Sequence, residues 1–490
     1  MAQATESRSG SGLRRNAIGL PGAVIMSAAI MGPAVSTFFN PQFSFPFSGF
    51  ATPLVYLLCL IAMLITASGV MEMARALPSA GAFYTFVTRG LGSKAGFVTG
   101  GLIFVAYALL APAEIGLIGS YLQNTFNEEL STNIPWWIIG MVPAIVMTVL
   151  AFEGIVSSLR TALVLFSAEV FVVVLMAVIV VFNGGPEGIN LHPFDPSTSP
   201  GGFGGLVTGG IFAALSFVGF EAAASLGEEV KEPRRRIPRA IIGATLLVGV
   251  IYTFCIWAES IGLGRNAVNA AETSTPWNLL ASEYASWMKW PVIIASVSSM
   301  FAVMLAANNG IVRILNKMGR ENLLPSFFGH IDERRRTPTR AVLFTGVFAV
   351  GLALIVGVLA GGLGDSAAGE SVYGYLGFLL TMGILPVYVL VNAAAIRFFR
   401  GRGDYHPIRH LVLPGLGALL MVGLTIGQIV EQEIAPYTWF PWVIVGWVVA
   451  VSLGAAWLGA RRPESLRSAG AAMGSVDDPE EEPDLALGVA

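Results

Sequence analysis

Long apolar stretches follow one another along the chain, and charged residues gather between them. The longest stretch without Asp, Glu, Lys, Arg or His runs from Asn16 to Met71, which is enough for two helices joined at Asn40-Pro41. A helix of about 20 apolar residues crosses the hydrocarbon core of a bilayer. The pattern therefore predicts an all-α integral membrane protein with about twelve spans, near residues 17–38, 48–74, 94–123, 134–152, 158–182, 204–227, 239–263, 289–316, 340–360, 371–398, 410–430 and 438–459.

Composition supports the bilayer as the solvent of this chain. Of its 490 residues 54% are hydrophobic and only 12% are charged, whereas a soluble domain carries about 25% charged residues. The net charge of −3 gives no reason to expect a nucleic-acid partner. The histidines and the two cysteines show no metal-ligand spacing. We expect no cofactor and no metal.

The distribution of Lys and Arg predicts the orientation. With twelve spans and a cytoplasmic N-terminus, 26 of the 28 Lys and Arg residues lie on the cytoplasmic side, as the positive-inside rule requires. This predicts an inner or plasma membrane protein with both termini in the cytoplasm. Residues 1–15 form a cytoplasmic N-terminal tail and 16–460 the transmembrane domain. Residues 461–490 are acidic and are expected to be disordered.

Two spans contain helix breakers in matching places. The first span has Gly32-Pro33 in its middle, and the sixth has Gly219 followed by Glu221. Breakers five helices apart indicate a five-plus-five inverted repeat, with a first repeat at 16–183 and a second at 204–398. Helices eleven and twelve, at 410–460, follow the repeats. Interrupted helices expose N–H and C=O groups that attract a carboxylate and an ammonium, as in an amino acid.

Three segments carry a resemblance to a known family. They are PSAGAFYTFVTRGLG (78–92), SFVGFEAAASLGEEVKEPRRRIPRAI (216–241) and RILNKMGRENLLPSFFGHIDERRRTPTRAV (313–342). In order and spacing they resemble the amino-acid permeases of the amino acid–polyamine–organocation superfamily, over roughly residues 15–460. The resemblance implies a LeuT-like fold with broken helices 1 and 6, and transport of a small amino acid or amine.

The resemblance also implies a substrate site at the two breaks. The family's Gly-Ser-Gly-like motif, whose N–H groups meet a substrate carboxylate, aligns here with Gly32, Pro33 and Ala34. Pro33 has neither a hydroxyl nor an N–H, so capture of a carboxylate falls to neighbours such as Ser27, and amines become more plausible substrates. The other residues implied are Ile30, Leu215 and Val218 through their carbonyls, Gly219 at the second break, and Ser216 and Phe220, with Tyr107 and Asn308 as weaker candidates, around the side-chain pocket.

Four glutamates lie at membrane depth, where a charge is costly and usually functional. Glu169 stands where many members of the family have a lysine that replaces a bound cation. We predict that Glu169 carries a proton or ligates a cation, although a purely structural carboxyl is the alternative. Glu221, beside the second break, is predicted to couple conformational change to the substrate. Glu114 and Glu259 have no assigned role.

The function predicted is secondary active transport of amino acids or closely related amines, driven by protons in symport. A substrate exchanger or uniporter of the same fold is the first alternative. A non-transporting sensor ranks lower. A membrane enzyme also ranks lower, because the sequence has no Walker A loop, no H-E-x-x-H and no G-x-S-x-G motif.

Overall fold

A computed structural model describes residues 18–78, 81–154, 159–226, 230–266, 275–320, 324–332, 334–335, 337–430 and 436–461. The predicted tails lie outside these residues, apart from Arg461 at the end of the last helix. The α-helices in the described ranges are α1 (Leu20–Ile30), α2 (Pro33–Phe38), α3 (Asn40–Ser48), α4 (Thr52–Ala76), α5 (Ala82–Leu91), α6 (Ser93–Leu130), α7 (Trp136–Phe152), α8 (Leu159–Asn183), α9 (Gly202–Ser216), α10 (Pro233–Leu263), α11 (Pro276–Tyr284), α12 (Lys289–Arg320), α13 (Thr339–Leu359), α14 (Ser366–Phe399), α15 (Leu413–Val430) and α16 (Phe440–Arg461).

The long apolar stretches of the described chain form helices. Ten of its helical segments are long and apolar enough to cross a bilayer. Two shorter apolar helices, α1 and α7, fall within the predicted first and fourth spans. The prediction of an all-helical, multi-pass membrane protein is confirmed, and the count of twelve spans stays a prediction.

The first predicted span ends too early. The sequence suggested a turn at Asn40-Pro41, but these residues begin α3, which continues to Ser48. Proline is tolerated in the first turn of a helix, where its missing N–H would have no partner. The chain turns instead at Gly49, whose φ of +55° suits glycine, and α4 begins at Thr52.

Two short helices were not predicted. α5 has 10 residues and α11 has 9, so neither is long enough to cross a bilayer. Both fall in segments that the hydropathy pattern assigned to loops. α11 nevertheless buries Trp277, whose indole N–H donates to the carbonyl of Thr37 in α2 at 3.1 Å. α11 therefore contacts α2, the second half of the broken first span.

The long helices α6 and α14 pack against each other through the middle of the bundle, and α4 and α10 form a second close pair. The outer helices α13, α15 and α16 leave large apolar side chains exposed, such as Val347 on α13 and Leu453 on α16. Many large apolar side chains exposed together on the outside of a bundle are typical of a surface that faces lipid. The broken segments α1 and α2 lie inside this outer layer, against α8, α10 and α12.

One end of the bundle is here named the basic end, because the predicted cytoplasmic Lys and Arg residues lie there; among them Arg75 pairs with Glu72 and Arg335 with Glu153. At the same end a parallel bridge joins Ile18 to Val230, and the N–H of Lys231 donates to the carbonyl of Ile18 at 3.0 Å. This bridge fastens the chain before α1 to the chain before α10.

Candidate functional site

The first span is broken at Gly32. Its φ of +54° lies in the left-handed region, between the end of α1 and the start of α2. A Cβ at this position would lie 2.6 Å from Cγ1 of Val35 and 2.7 Å from Cγ2 of Val303. Both the backbone conformation and the packing therefore require glycine. Pro33 follows as the first residue of α2, where it presents no N–H.

The second break lies after Ser216, the last residue of α9. The helix resumes as a tight three-residue-per-turn segment at Phe220–Leu226. Between the two, Gly219 has a φ of +108°, and a Cβ on it would lie 2.8 Å from Cγ2 of Ile30. The two breaks predicted from the sequence thus touch each other in the folded chain.

Ser27 joins the two broken spans by hydrogen bonds. Its hydroxyl donates to the carbonyl of Phe220 at 2.8 Å and accepts from the N–H of Ala223 at 3.4 Å. Ser27 is fully buried. Both partners belong to the segment Phe220–Leu226, so this buried hydroxyl holds α1 against the second half of the sixth span.

The carbonyl that takes hydroxyl partners at the first break belongs to Met31. It accepts from the hydroxyl of Tyr252 in α10 at 2.8 Å and from Ser36 at 2.7 Å. The sequence pointed to the neighbouring carbonyl of Ile30. It also pointed to Leu215, whose carbonyl accepts from the N–H of Val218 at 3.1 Å, within the last turn of α9.

Glu169 of α8 binds the start of α2. Its Oε1 accepts from the N–H of Ala34 at 2.6 Å and from the hydroxyl of Ser299 in α12 at 2.5 Å. The same hydroxyl accepts from the N–H of Val35 at 3.2 Å. Among the described residues, no donor contacts Oε2 of Glu169. The N–H groups that the resemblance offers to a substrate carboxylate are therefore occupied by protein groups.

Glu221 lies at the centre of a second set of hydrogen bonds. Its carboxylate accepts from the N–H of Gly219 at 3.1 Å, from the hydroxyl of Tyr107 at 2.9 Å and from Tyr388 at 3.2 Å. These donors come from the break itself, α6 and α14. Three donors keep a buried carboxylate solvated by protein groups. Tyr107, which the sequence offered as a weaker candidate for the side-chain pocket, donates its hydroxyl hydrogen bond to Glu221.

Ser216 belongs to a hydrogen-bonded network on the other side of the second break. Its hydroxyl accepts from the amide of Asn40 at 2.7 Å and lies 3.2 Å from the hydroxyl of Tyr56. The amide oxygen of Asn40 accepts in turn from Tyr373 at 2.6 Å.

Phe220, the other residue implied for the side-chain pocket, packs its ring on Tyr388, with centroids 5.1 Å apart.

Sequence reasoning missed several partners of this site. Ser299, Tyr252 and Asn40 are uncharged polar residues in membrane helices, where such residues also serve packing alone, so the sequence does not distinguish them as partners of this site. Glu114 and Glu259 are fully buried, and neither oxygen of Glu259 has a hydrogen-bond partner in the described part of the chain. Asn308 lines a cavity between α6, α12 and α13, together with Tyr107.

Comparison with known proteins then decides the family. The family model described as "Amino acid permease" matches residues 46–431. The chain belongs to the amino acid permease family. This confirms the resemblance seen in the three sequence segments. Because the family consists of permeases, the permease described here is a transporter and not an enzyme.

Named relatives fall into several substrate groups. The permease is 28% identical over 389 residues to the low-affinity putrescine importer PlaP of Escherichia coli (strain K12), covering 76% of this chain and 80% of that one. It is 25% identical over 417 residues to the branched-chain amino acid permease BcaP of Bacillus subtilis (strain 168), covering 80% and 83%. It is 25% identical over 316 residues to cationic amino acid transporter 7, chloroplastic, of Arabidopsis thaliana, covering 61% and 53%.

Proposed function

We propose that the permease is a secondary active transporter that moves an amino acid or a closely related amine by alternating access, with protons as the coupling ion. It would lie in the inner or plasma membrane with twelve spans and both termini in the cytoplasm. Residues 16–183 and 204–398 would form the two inverted repeats. The contact between the breaks at Ile30 and Gly219 supports this arrangement, since such repeats bring their interrupted helices together.

The substrate would bind where the two breaks meet. This places it among residues that converge from α1, α2, α9 and the segment after α9. They are Ser27, Ile30, Gly32, Pro33, Ala34, Leu215, Ser216, Val218, Gly219 and Phe220. Glu221 would connect this site to α6 and α14 through Tyr107 and Tyr388.

The observation that carries the coupling proposal is the bond from Ala34 N–H to Glu169. A substrate carboxylate can take this donor only after Glu169 releases it. A charged acceptor binds an N–H more strongly than a neutral one. Protonation of Glu169 would therefore free Ala34 for the substrate, which links proton binding to substrate binding.

An amine without a carboxylate would use the same residue differently. Glu169 would keep its bonds to Ala34 and Ser299 and offer to the ammonium group its Oε2, which receives no hydrogen bond from the described residues. Pro33 favours this second mode, because it removes one of the N–H donors that a carboxylate needs. The two substrate classes thus make different demands on the carboxylate of Glu169.

Uptake by purified permease in proteoliposomes tests the proposal. A panel of amino acids and diamines, including putrescine, would be measured with and without an inward proton gradient, in wild type and in Glu169→Gln. For a proton symporter of amino acids we expect gradient-driven accumulation that Glu169→Gln abolishes while counterflow exchange persists. For an amine we expect both to be lost, because the neutral amide cannot pair an ammonium. Glu187→Gln, which removes a carboxylate paired with Arg265 far along the chain from the breaks, is the matched control.

Other outcomes separate the alternatives. Accumulation that ignores the gradient and requires internal substrate would identify an exchanger, with Glu169 structural. Downhill flux alone would identify a uniporter. Binding without flux for every compound, with folded protein, would identify a sensor and overturn the transport proposal.

A further inference from the structure

The buried glutamates of the permease differ in the hydrogen-bond donors around them. Glu169 accepts two hydrogen bonds and Glu221 accepts three. Glu259 of α10 is fully buried, and neither of its oxygens has a hydrogen-bond partner among the described residues. Burying an ionised carboxylate without donors is so costly that the group takes up a proton instead. The surroundings of Glu259 therefore suit a neutral carboxylic acid, whereas those of Glu169 and Glu221 suit carboxylates.

No positively charged side chain in the described part of the chain faces Glu259. The titratable groups that face its carboxyl are Tyr56 of α4 and Cys255, one turn earlier on α10. Neither of them is a cation. Arg265, the nearest basic residue along the chain, is exposed, and Glu169 and Glu221 have their own donors at the breaks. An ion pair therefore does not stabilise a negative charge on Glu259.

One donor lies beside this carboxyl, the indole N–H of Trp277 in α11. The N–H does not bind Glu259 but donates to the carbonyl of Thr37 in α2 at 3.1 Å. The indole ring also packs on Phe38 of α2, with centroids 4.8 Å apart. Trp277 thus holds α11 to the second half of the broken first span while its N–H faces Glu259.

Two acceptors therefore compete for one donor. A hydrogen bond to an ionised acceptor is roughly twice as strong as one between neutral groups. Loss of the proton from Glu259 would make its carboxylate a stronger acceptor than the carbonyl of Thr37. A bare buried carboxylate also gains most from acquiring a donor. The N–H of Trp277 would then leave Thr37 for Glu259, and α11 would lose this bond to α2.

We propose that Glu259 is a second proton-binding site of the permease, distinct from Glu169, and that its proton controls the bond between Trp277 and Thr37. With the proton bound, Trp277 stays on α2. On release, the proton passes from the carboxylic acid to water at the end opposite the basic end, where α10 ends at Leu263, and the indole N–H turns to the carboxylate. The part of this step in a transport cycle rests on the proposed function, whereas the proton site and its effect on Trp277 do not.

Fluorine NMR of the full-length permease, labelled with 5-fluorotryptophan in lipid nanodiscs, tests this without substrate or proton gradient. The resonance of Trp277 is identified by its loss in Trp277→Phe. In the wild type we expect this resonance to shift with pH as one titrating group, because the indole N–H exchanges Thr37 for Glu259. In Glu259→Gln, whose amide cannot ionise, it should stay fixed over the same pH range. Glu187→Gln removes an exposed carboxylate and should titrate like the wild type.

Infrared spectroscopy of the same samples detects the proton itself. We expect the wild type to show a protonated carboxyl band that Glu259→Gln lacks, and this band should decrease over the pH range in which the Trp277 resonance shifts. Wild-type and Glu259→Gln spectra with equal carboxyl bands would show that Glu259 is ionised and would overturn the proposal. A Trp277 resonance that ignores pH in the wild type, or that titrates equally in folded Glu259→Gln, would also overturn it.

The uptake assay separates this inference from the proposed function. Both spectroscopic signals without transport of any compound would refute the transport proposal and leave the proton site at Glu259 intact. Proton-driven uptake in which Glu259→Gln behaves as the wild type in both spectra would refute the proton site alone.

Discussion

Glu169 and Gly219 each act on residues far away in the sequence. Glu169 reaches Ala34 and Ser299, and Gly219 makes room for Ile30. The sequence identified Glu169, because a carboxylate in an apolar run is unusual. It also identified Gly32 and Gly219 as helix breakers. It could not identify Ser299, since the fold alone brings that hydroxyl to the carboxylate. Which side chain completes a site depends on helix packing, and packing leaves little trace in a single sequence.

Substituting Gly219 tests whether the contact between the breaks matters. Alanine at φ +108° is strained, at a cost of about 1–3 kcal/mol, and its Cβ would press on Ile30 Cγ2 at 2.8 Å. We expect Gly219→Ala to reduce the initial rate of uptake by about tenfold, which corresponds to about 1.4 kcal/mol. Gly310→Ala is the control, because a Cβ there meets nothing within 4 Å. Normal uptake by Gly219→Ala at equal membrane abundance would contradict a tight contact during transport.

At the scale of elements, hydropathy located the membrane helices well and their ends less well. The sequence placed the seventh span at 239–263, and α10 starts earlier, at Pro233, with basic residues in its first turns. Charged residues interrupt an apolar run without ending a helix, since the helix projects beyond the bilayer. The short helices α5 and α11 were not predicted, because hydropathy averaged over the length of a bilayer crossing does not detect helices of 10 and 9 residues.

The bridge between Ile18 and Val230 permits an element-scale test. It ties α1 to the chain before α10 at the basic end, and neighbouring extended segments lie about 4.8 Å apart, within the Cα separation of about 4.4–6.8 Å that a disulfide spans. We expect Ile18→Cys with Val230→Cys to cross-link on oxidation and to lose at least about nine-tenths of uptake, if α1 swings away from this chain during alternating access. A reductant should restore the rate.

Controls make that result specific. Each single cysteine variant should keep its uptake under the same oxidant, and the native Cys59 and Cys255 are buried and can remain in place. The fraction of cross-linked protein would be measured by counting free thiols. Full cross-linking with unchanged uptake would show that the two segments move together throughout transport.

At the scale of the whole molecule, the family places the permease in a membrane, and the charge distribution predicts which way it faces. The loop at Ser197 lies at the end opposite the basic end, and Gly403 lies at the basic end beyond α14; both are exposed. Five predicted spans, the sixth to the tenth, separate them. An odd number of crossings puts two positions on opposite sides of the membrane, so this pair tests the span count and the orientation together.

Labelling of Ser197→Cys and Gly403→Cys with a membrane-impermeant maleimide provides the measurement. In intact cells we expect Ser197→Cys to react and Gly403→Cys to react only after permeabilisation, because the positive-inside rule assigns the basic end to the cytoplasm. The wild type, whose two cysteines are buried, should stay unlabelled and serves as the blank. The reverse pattern would invert the orientation and leave the count intact. Reaction of both positions from outside would mean an even number of crossings between them, which would overturn the predicted count of five spans in this part of the chain.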